Sequence, residues 1–195
     1  MNHSLSINQS LIETNILALQ EGIKNIEGLE SGQYVQGFKP AFESTIGAHY
    51  RHVVEHYRCF FAQMDNRIFC YDHREREQSL ECDAPCTIEA LNELIRQFGE
   101  IPIQAFSQAY TLVDEQAQAP VETNLHRELL FLQSHTVHHY AIIAAITRAL
   151  GNQTEADFGV AIATRSYQKC SGSRAANIES SAADHSSPES KIAEG

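Results

Sequence analysis

The chain has 195 residues, 43% of them apolar, enough for one compact domain with a real core. Its net charge of −11 leaves no basic stripe to neutralise nucleic-acid phosphates or to engage an anionic membrane surface. No apolar run approaches the roughly 18 residues that signal a membrane span, and MNHSLSINQSL at the start lacks the regions of a secretory signal. The five cysteines include no CxxC pair, so the sequence predicts a cytoplasmic protein with free thiols.

Leu11, Ile12, Ile16, Leu19, Ile23 and Ile26 recur mostly at steps of three and four, which predicts an amphipathic helix over residues 8–29. Ser31 and Gly32 end it, and Gly37 and Pro40 fall in a connecting loop. Ser44 is the candidate N-cap of a second helix running to residue 64. Residues 65–85 are polar, centred on YDHRERE at 71–77, and read as a long ordered loop of a length often tied to function. Arg74 and Arg76 in it are candidate clamps for an anionic substrate; local ion pairing on a solvated loop is the plainer account. A third helix is predicted over 87–98, ending at Gly99. Partial alternation over 103–113 predicts a short β-hairpin. A fourth helix starts near Thr123 or Asn124 and runs to Leu150, with Gly151 past its end, and a short helix follows Phe158-Gly159. The domain is expected over 1–170, and the Ser/Ala-rich segment 171–195 reads as a disordered tail.

Histidine is the unusual residue, with ten copies. His49, His52 and His56 fall within an arc of roughly 60° on one helical face. His135 and His139 lie one turn apart in a second window, whereas His138 points about 100° away from His139. One HxxxH pair is weak evidence, because about half a pair is expected by chance at this histidine content. Two clusters are harder to dismiss as core histidines, since apolar neighbours flank both: Val53, Val54, Phe60 and Phe61 in one, Phe131, Leu132, Ile142 and Ile146 in the other. Buried imidazoles need partners or lose their charge, and a divalent ion is a shared partner. All-imidazole ligation suits Zn, Ni, Cu or Fe, and three ligands from two helices leave a position open for chemistry. Glu128, two turns before His135 on the same face, could orient a ligand or act as a base; the alternative is an ion pair with Arg127. Pro85 argues against a regular turn joining Cys82 and Cys86, which then read as ordinary thiols. No phosphate loop or nucleophile elbow is present.

The segments STIGAHYRH at 44–52, RELLFLQSHTVHHY at 127–140 and FGVA at 158–161 resemble the DinB/YfiT-like metalloenzyme superfamily, and YDHRERE is similar to the loop of one bacterial subgroup. The similarity covers residues 8–168. It implies an all-α four-helix bundle of up-down-down-up type with a long crossover, and a metal held by His52, His135 and His139. Ile162-Ala-Thr-Arg departs from the Pro-Ser-Thr continuation of the subgroup, and His49 and His56 compete with His52. The resemblance implies a metal-dependent transferase using a low-molecular-weight thiol, or a hydrolase, acting on a small molecule. Zn or Ni is the expected ion, with Fe third. An exposed apolar helix face would allow a homodimer. The alternatives are a non-catalytic metal-binding or stress-related bundle and a hemerythrin-like dinuclear carrier. For the carrier only Glu128 and Glu55 are candidate bridging carboxylates.

Overall fold

The structure, a computed structural model, describes residues 2–117 and 119–168. Its helices are α1 (Asn2–Glu27), α2 (Ile46–Gln63), α3 (Gln78–Cys82), α4 (Ala84–Phe98) and α5 (Leu125–Ala149), and its strands are β1 (Ile68–Phe69), β2 (Tyr110–Leu112) and β3 (Val121–Thr123). Each long helix after the first starts on a side-chain cap. Thr45 accepts from the Ala48 N–H at 3.1 Å, Asp83 from Cys86 at 3.3 Å and Asn124 from Arg127 at 3.0 Å. The cap of α2 is therefore Thr45 and not the expected Ser44, whose hydroxyl is left for another partner. Pro85 stands in the first turn of α4, where its missing N–H costs nothing, so this helix begins three residues before the predicted start.

Around the bundle the four long helices follow the cyclic order α1, α5, α2, α4. Asn8 meets His126, Asn15 meets Leu129 and Lys24 pairs with Glu155 beyond the end of α5, so α1 and α5 run parallel. Tyr50 reaches Gly22 while Tyr57 reaches Asn15, so α2 opposes α1. Glu81, just before α4, pairs with Arg51 near the start of α2, and Phe98 packs on Phe61 near its end, so α2 and α4 are parallel. The result is an up-down-down-up bundle. Parallel α2 and α4 oblige the chain between them to return along the length of the bundle. Residues 64–83 make that return and carry the YDHRERE segment past α2. This crossover holds β1 and α3, so the predicted loop is more structured than its polarity implies. At Gly47 a β-carbon would collide with the Glu81 carbonyl, so glycine lets α3 lie against α2.

The predicted hairpin lies later than 103–113. Residues Ile103–Ser107 form a 3-10 turn, and the antiparallel partners are Tyr110–Leu112 and Val121–Thr123, with β1 added in parallel against β2. Buried Phe69 in β1 stacks between Phe60 at 5.3 Å and Tyr110 at 5.3 Å, which seats the sheet on α2. In the bundle interior, Asn15 is fully buried and satisfied on both sides. It donates to the carbonyls of Leu11 and Leu129 and accepts from the Tyr57 hydroxyl at 2.8 Å, which itself accepts from Thr136.

One compact unit runs to Gly159, and residues 160–168 belong to a second, helical over 162–168. The predicted tail at 171–195 lies outside the described residues. Cys59, Cys70, Cys82 and Cys86 are free thiols. No helix among the described residues is long and apolar enough to cross a membrane.

Candidate metal centre

Antiparallel packing of α2 on α5 turns the two histidine windows toward each other. The Nε2 atoms of His52 and His135 are 3.2 Å apart, as are those of His139 and His135. His52, His135 and His139 each offer one nitrogen, and these lie within 4.8 Å of one another. His138 is exposed, in a shallow depression lined also by Arg127, Leu130, Phe131, Ser134 and His135, and its nitrogens are not among the three that converge.

His56 and His49 flank the trio. His56 is buried, donates from Nδ1 to the His52 carbonyl at 2.8 Å, and packs 4.2 Å from the His135 ring. His49 sets its Nδ1 3.0 Å from Nδ1 of His139, and its Nε2 lies 2.8 Å from the Ser44 hydroxyl. This Ser44–His49–His139 chain escaped the sequence reading, which spent Ser44 on the helix cap; the five-residue spacing from Ser44 to His49 is its only trace.

Burial holds these imidazoles neutral. It pushes His52 down to about 2, reinforced by the neighbouring histidines and Arg74, and His56 and His139 to about 3. His135 falls to about 4 from burial first, then the charges of His138 and Arg74. Neutral imidazoles with converging lone pairs are the donor set that zinc, nickel or iron takes.

Arg74 is half-buried. It donates to the Tyr71 carbonyl, and its Nε is buried with no protein partner. Arg76 is exposed, and its charge acts on Glu55. Glu128 is fully buried with both oxygens engaged: Oε2 accepts from Tyr71 at 2.9 Å, Oε1 from Thr123 at 2.5 Å and from Arg127 at 2.9 Å. Glu55 is also buried, 3.5 Å from the Arg51 guanidinium, and accepts from the Glu77 N–H. The metal-capable cluster among the described residues thus contains three imidazoles and no carboxylate, and both carboxylates a dinuclear centre would need have other partners.

No family model matches the chain, and no curated protein matches its sequence. Among solved structures the fold matches YfiT from Bacillus subtilis, described as a probable metal-dependent hydrolase with an unusual four-helix bundle topology, with a TM-score of 0.58 at 12% identity. The match covers 75% of this chain and 89% of that one. The fold is the YfiT-type four-helix bundle, in agreement with the resemblance read from the histidine windows.

Proposed function

We propose that this chain is a metal-dependent hydrolase whose ion is held by Nε2 of His52, His135 and His139. The observation that carries this reading is the pair of 3.2 Å separations centred on the His135 nitrogen. Bare imidazole lone pairs at that distance repel unless a proton or a cation lies among them. Zn–N bonds of about 2.0–2.1 Å in tetrahedral geometry set ligand atoms roughly 3.3 Å apart, so the spacing suits zinc, with nickel and iron as the other candidates. When bound, a divalent ion supplies Lewis-acid chemistry at an open position, lowering the pKa of water or of a thiol.

The chain's own residues do the rest. His56 and the ring of Tyr71, stacked on it at 5.7 Å, wall off one side of the trio. Arg74, whose charge already acts on His52, His56 and His135, supplies the positive field beside the trio that would favour an anionic group on a small-molecule substrate; Arg76 has no part in this reading. Glu128, which accepts from Tyr71, Thr123 and Arg127, serves in this reading as the anchor of the crossover and not as the base. The description of YfiT supports hydrolysis over thiol transfer.

Elemental analysis and turnover test the proposal together. About one ion per chain, with chelator-sensitive hydrolysis of small anionic esters or amides and no need for added thiol, is the expected result. Two irons per chain would replace it with a dinuclear carrier, and a strict thiol requirement with a transferase.

A further inference from the structure

We propose that His49, held by Ser44, is a positioning residue that fixes the tautomer of His139 so that its Nε2 lone pair faces the ion. The inference rests on the metal reading above and adds a role for two residues outside the ligand trio.

A neutral imidazole carries one proton, and a ring that ligates through Nε2 must carry it on Nδ1. Nδ1 of His139 stands 3.0 Å from Nδ1 of His49, so one of these two nitrogens bears the shared proton and the other accepts it. With the proton on His139, Nδ1 of His49 is bare and the His49 proton must sit on Nε2. There it has an acceptor, the Ser44 hydroxyl at 2.8 Å. Every donor in this direction finds an acceptor, and the site receives a bare Nε2. The reverse direction also closes, with the Ser44 hydroxyl donating to His49 and His49 donating to His139. It then points an N–H of His139 at Nε2 of His135, 3.2 Å away, and leaves no lone pair there for an ion. Only the first direction is compatible with ligation.

The backbone explains why Ser44 is free for this task. Thr45 takes the N-cap of α2, and the Ser44 side chain, one residue earlier, turns to His49 in the first turn of the helix. His49 lies one turn before His52 and meets His139 at 5.3 Å between ring centres. Second partners of this kind commonly change metal affinity about 10- to 100-fold when removed.

The discriminating pair is His49→Leu and His49→Asn. Asparagine places Oδ1 where Nδ1 of histidine stands and keeps an acceptor for His139; leucine fills the space and accepts nothing. Zinc affinity, measured by competition with a chromophoric chelator, should fall about 10- to 100-fold in the leucine variant and stay within about threefold of wild type in the asparagine variant. Nitrogen-15 spectra of the zinc-loaded wild-type protein should show His139 protonated at Nδ1 and His49 at Nε2, a readout independent of how either variant folds. Wild-type affinity in His49→Leu, equal losses in both variants, or a His139 proton on Nε2 in the loaded protein would each overturn the positioning role. Failure of the wild-type protein to bind zinc, nickel or iron overturns the metal reading itself and is recognised before any variant is made.

Discussion

The Tyr71 hydroxyl donates to a carboxylate oxygen of Glu128 at 2.9 Å, joining the crossover between α2 and α4 to the first turn of α5. The carboxylate also binds Thr123 and Arg127, and it sits at a helix N-terminus, where negative charge is favoured. The same Tyr71 ring stacks on His56, and its carbonyl accepts from Arg74. Glu128 therefore reaches the histidines through the chain segment it pins.

Tyr71→Phe removes one donor from a buried carboxylate and should destabilise the fold by about 1–3 kcal/mol while leaving metal content unchanged. Glu128→Leu leaves the buried Tyr71 hydroxyl and the half-buried Thr123 hydroxyl without their acceptor, while the exposed Arg127 turns to water, and should cost more, about 2–4 kcal/mol. Urea unfolding of both variants checks the ranking. Metal loss in Tyr71→Phe with unchanged stability would assign Tyr71 to the site itself.

Alanine replacements across the two windows separate ligands from neighbours. His52→Ala, His135→Ala and His139→Ala should each lower metal per chain at limiting metal by about tenfold or more. His138→Ala should leave occupancy at the wild-type level, because His138 is exposed and stands outside the three converging nitrogens. An empty site in His138→Ala would contradict the placement of the ring.

The helices and the histidine pairing were legible because both depend on local spacing. A period near 3.6 marks α1 and α2, and two windows one turn in pitch place imidazoles on facing stripes. The rest was hidden by long-range partners. Glu128 finds Tyr71 57 positions away, and Asn15 finds Tyr57 42 positions away; no local pattern encodes either. The hairpin was misplaced because short alternation at 103–107 looks the same in a 3-10 turn, and β2 pairs with a strand nine residues further on. Pro85 does keep Cys82 and Cys86 off one regular turn, since α3 ends at Cys82 and Asp83 is extended, and the same proline stands in the first turn of α4.

Asn15 is the polar residue that sequence patterning hides best, since it occupies a core position of an apolar stripe. Asn15→Leu keeps the branched shape but leaves the buried Tyr57 hydroxyl without its acceptor, so it should destabilise the protein by about 1–3 kcal/mol despite the added hydrophobicity. Thermal unfolding of the metal-free protein measures this, and an unchanged or raised Tm would show that water replaces the amide.

Arg74→Gln removes the guanidinium whose Nε is unpaired and whose charge acts on His52, His56 and His135. For an anionic substrate KM should rise about tenfold or more, the scale of a lost charge-assisted hydrogen bond, and for a neutral analogue it should stay nearly constant. Arg76→Gln, on the exposed side, should alter neither. Equal effects of Arg74→Gln on both substrates would make it a structural residue of the crossover.

The pH dependence of the metal-free protein follows from the depressed histidines. Burial holds His52 at about 2, His56 and His139 at about 3 and His135 at about 4, whereas in the unfolded chain each titrates near the usual ~6.5. Above about pH 7 both states are neutral at these rings, and pH has no effect through them. As pH falls below ~6.5 the unfolded chain takes up protons that the native state refuses, so stability falls, and it keeps falling toward the native values. Tm should therefore drop steadily from pH 7 to pH 5, and His56→Leu should flatten the slope by removing one differential proton. The same weak basicity means that protons compete poorly with a metal for His52, His135 and His139, so the loaded site should hold its ion below about pH 6, where exposed histidines are already charged. Calorimetry on metal-free and metal-loaded protein across this range measures both effects. A flat Tm for the metal-free protein between pH 7 and 5 would mean that water reaches these rings in solution and restores their ordinary affinity for protons.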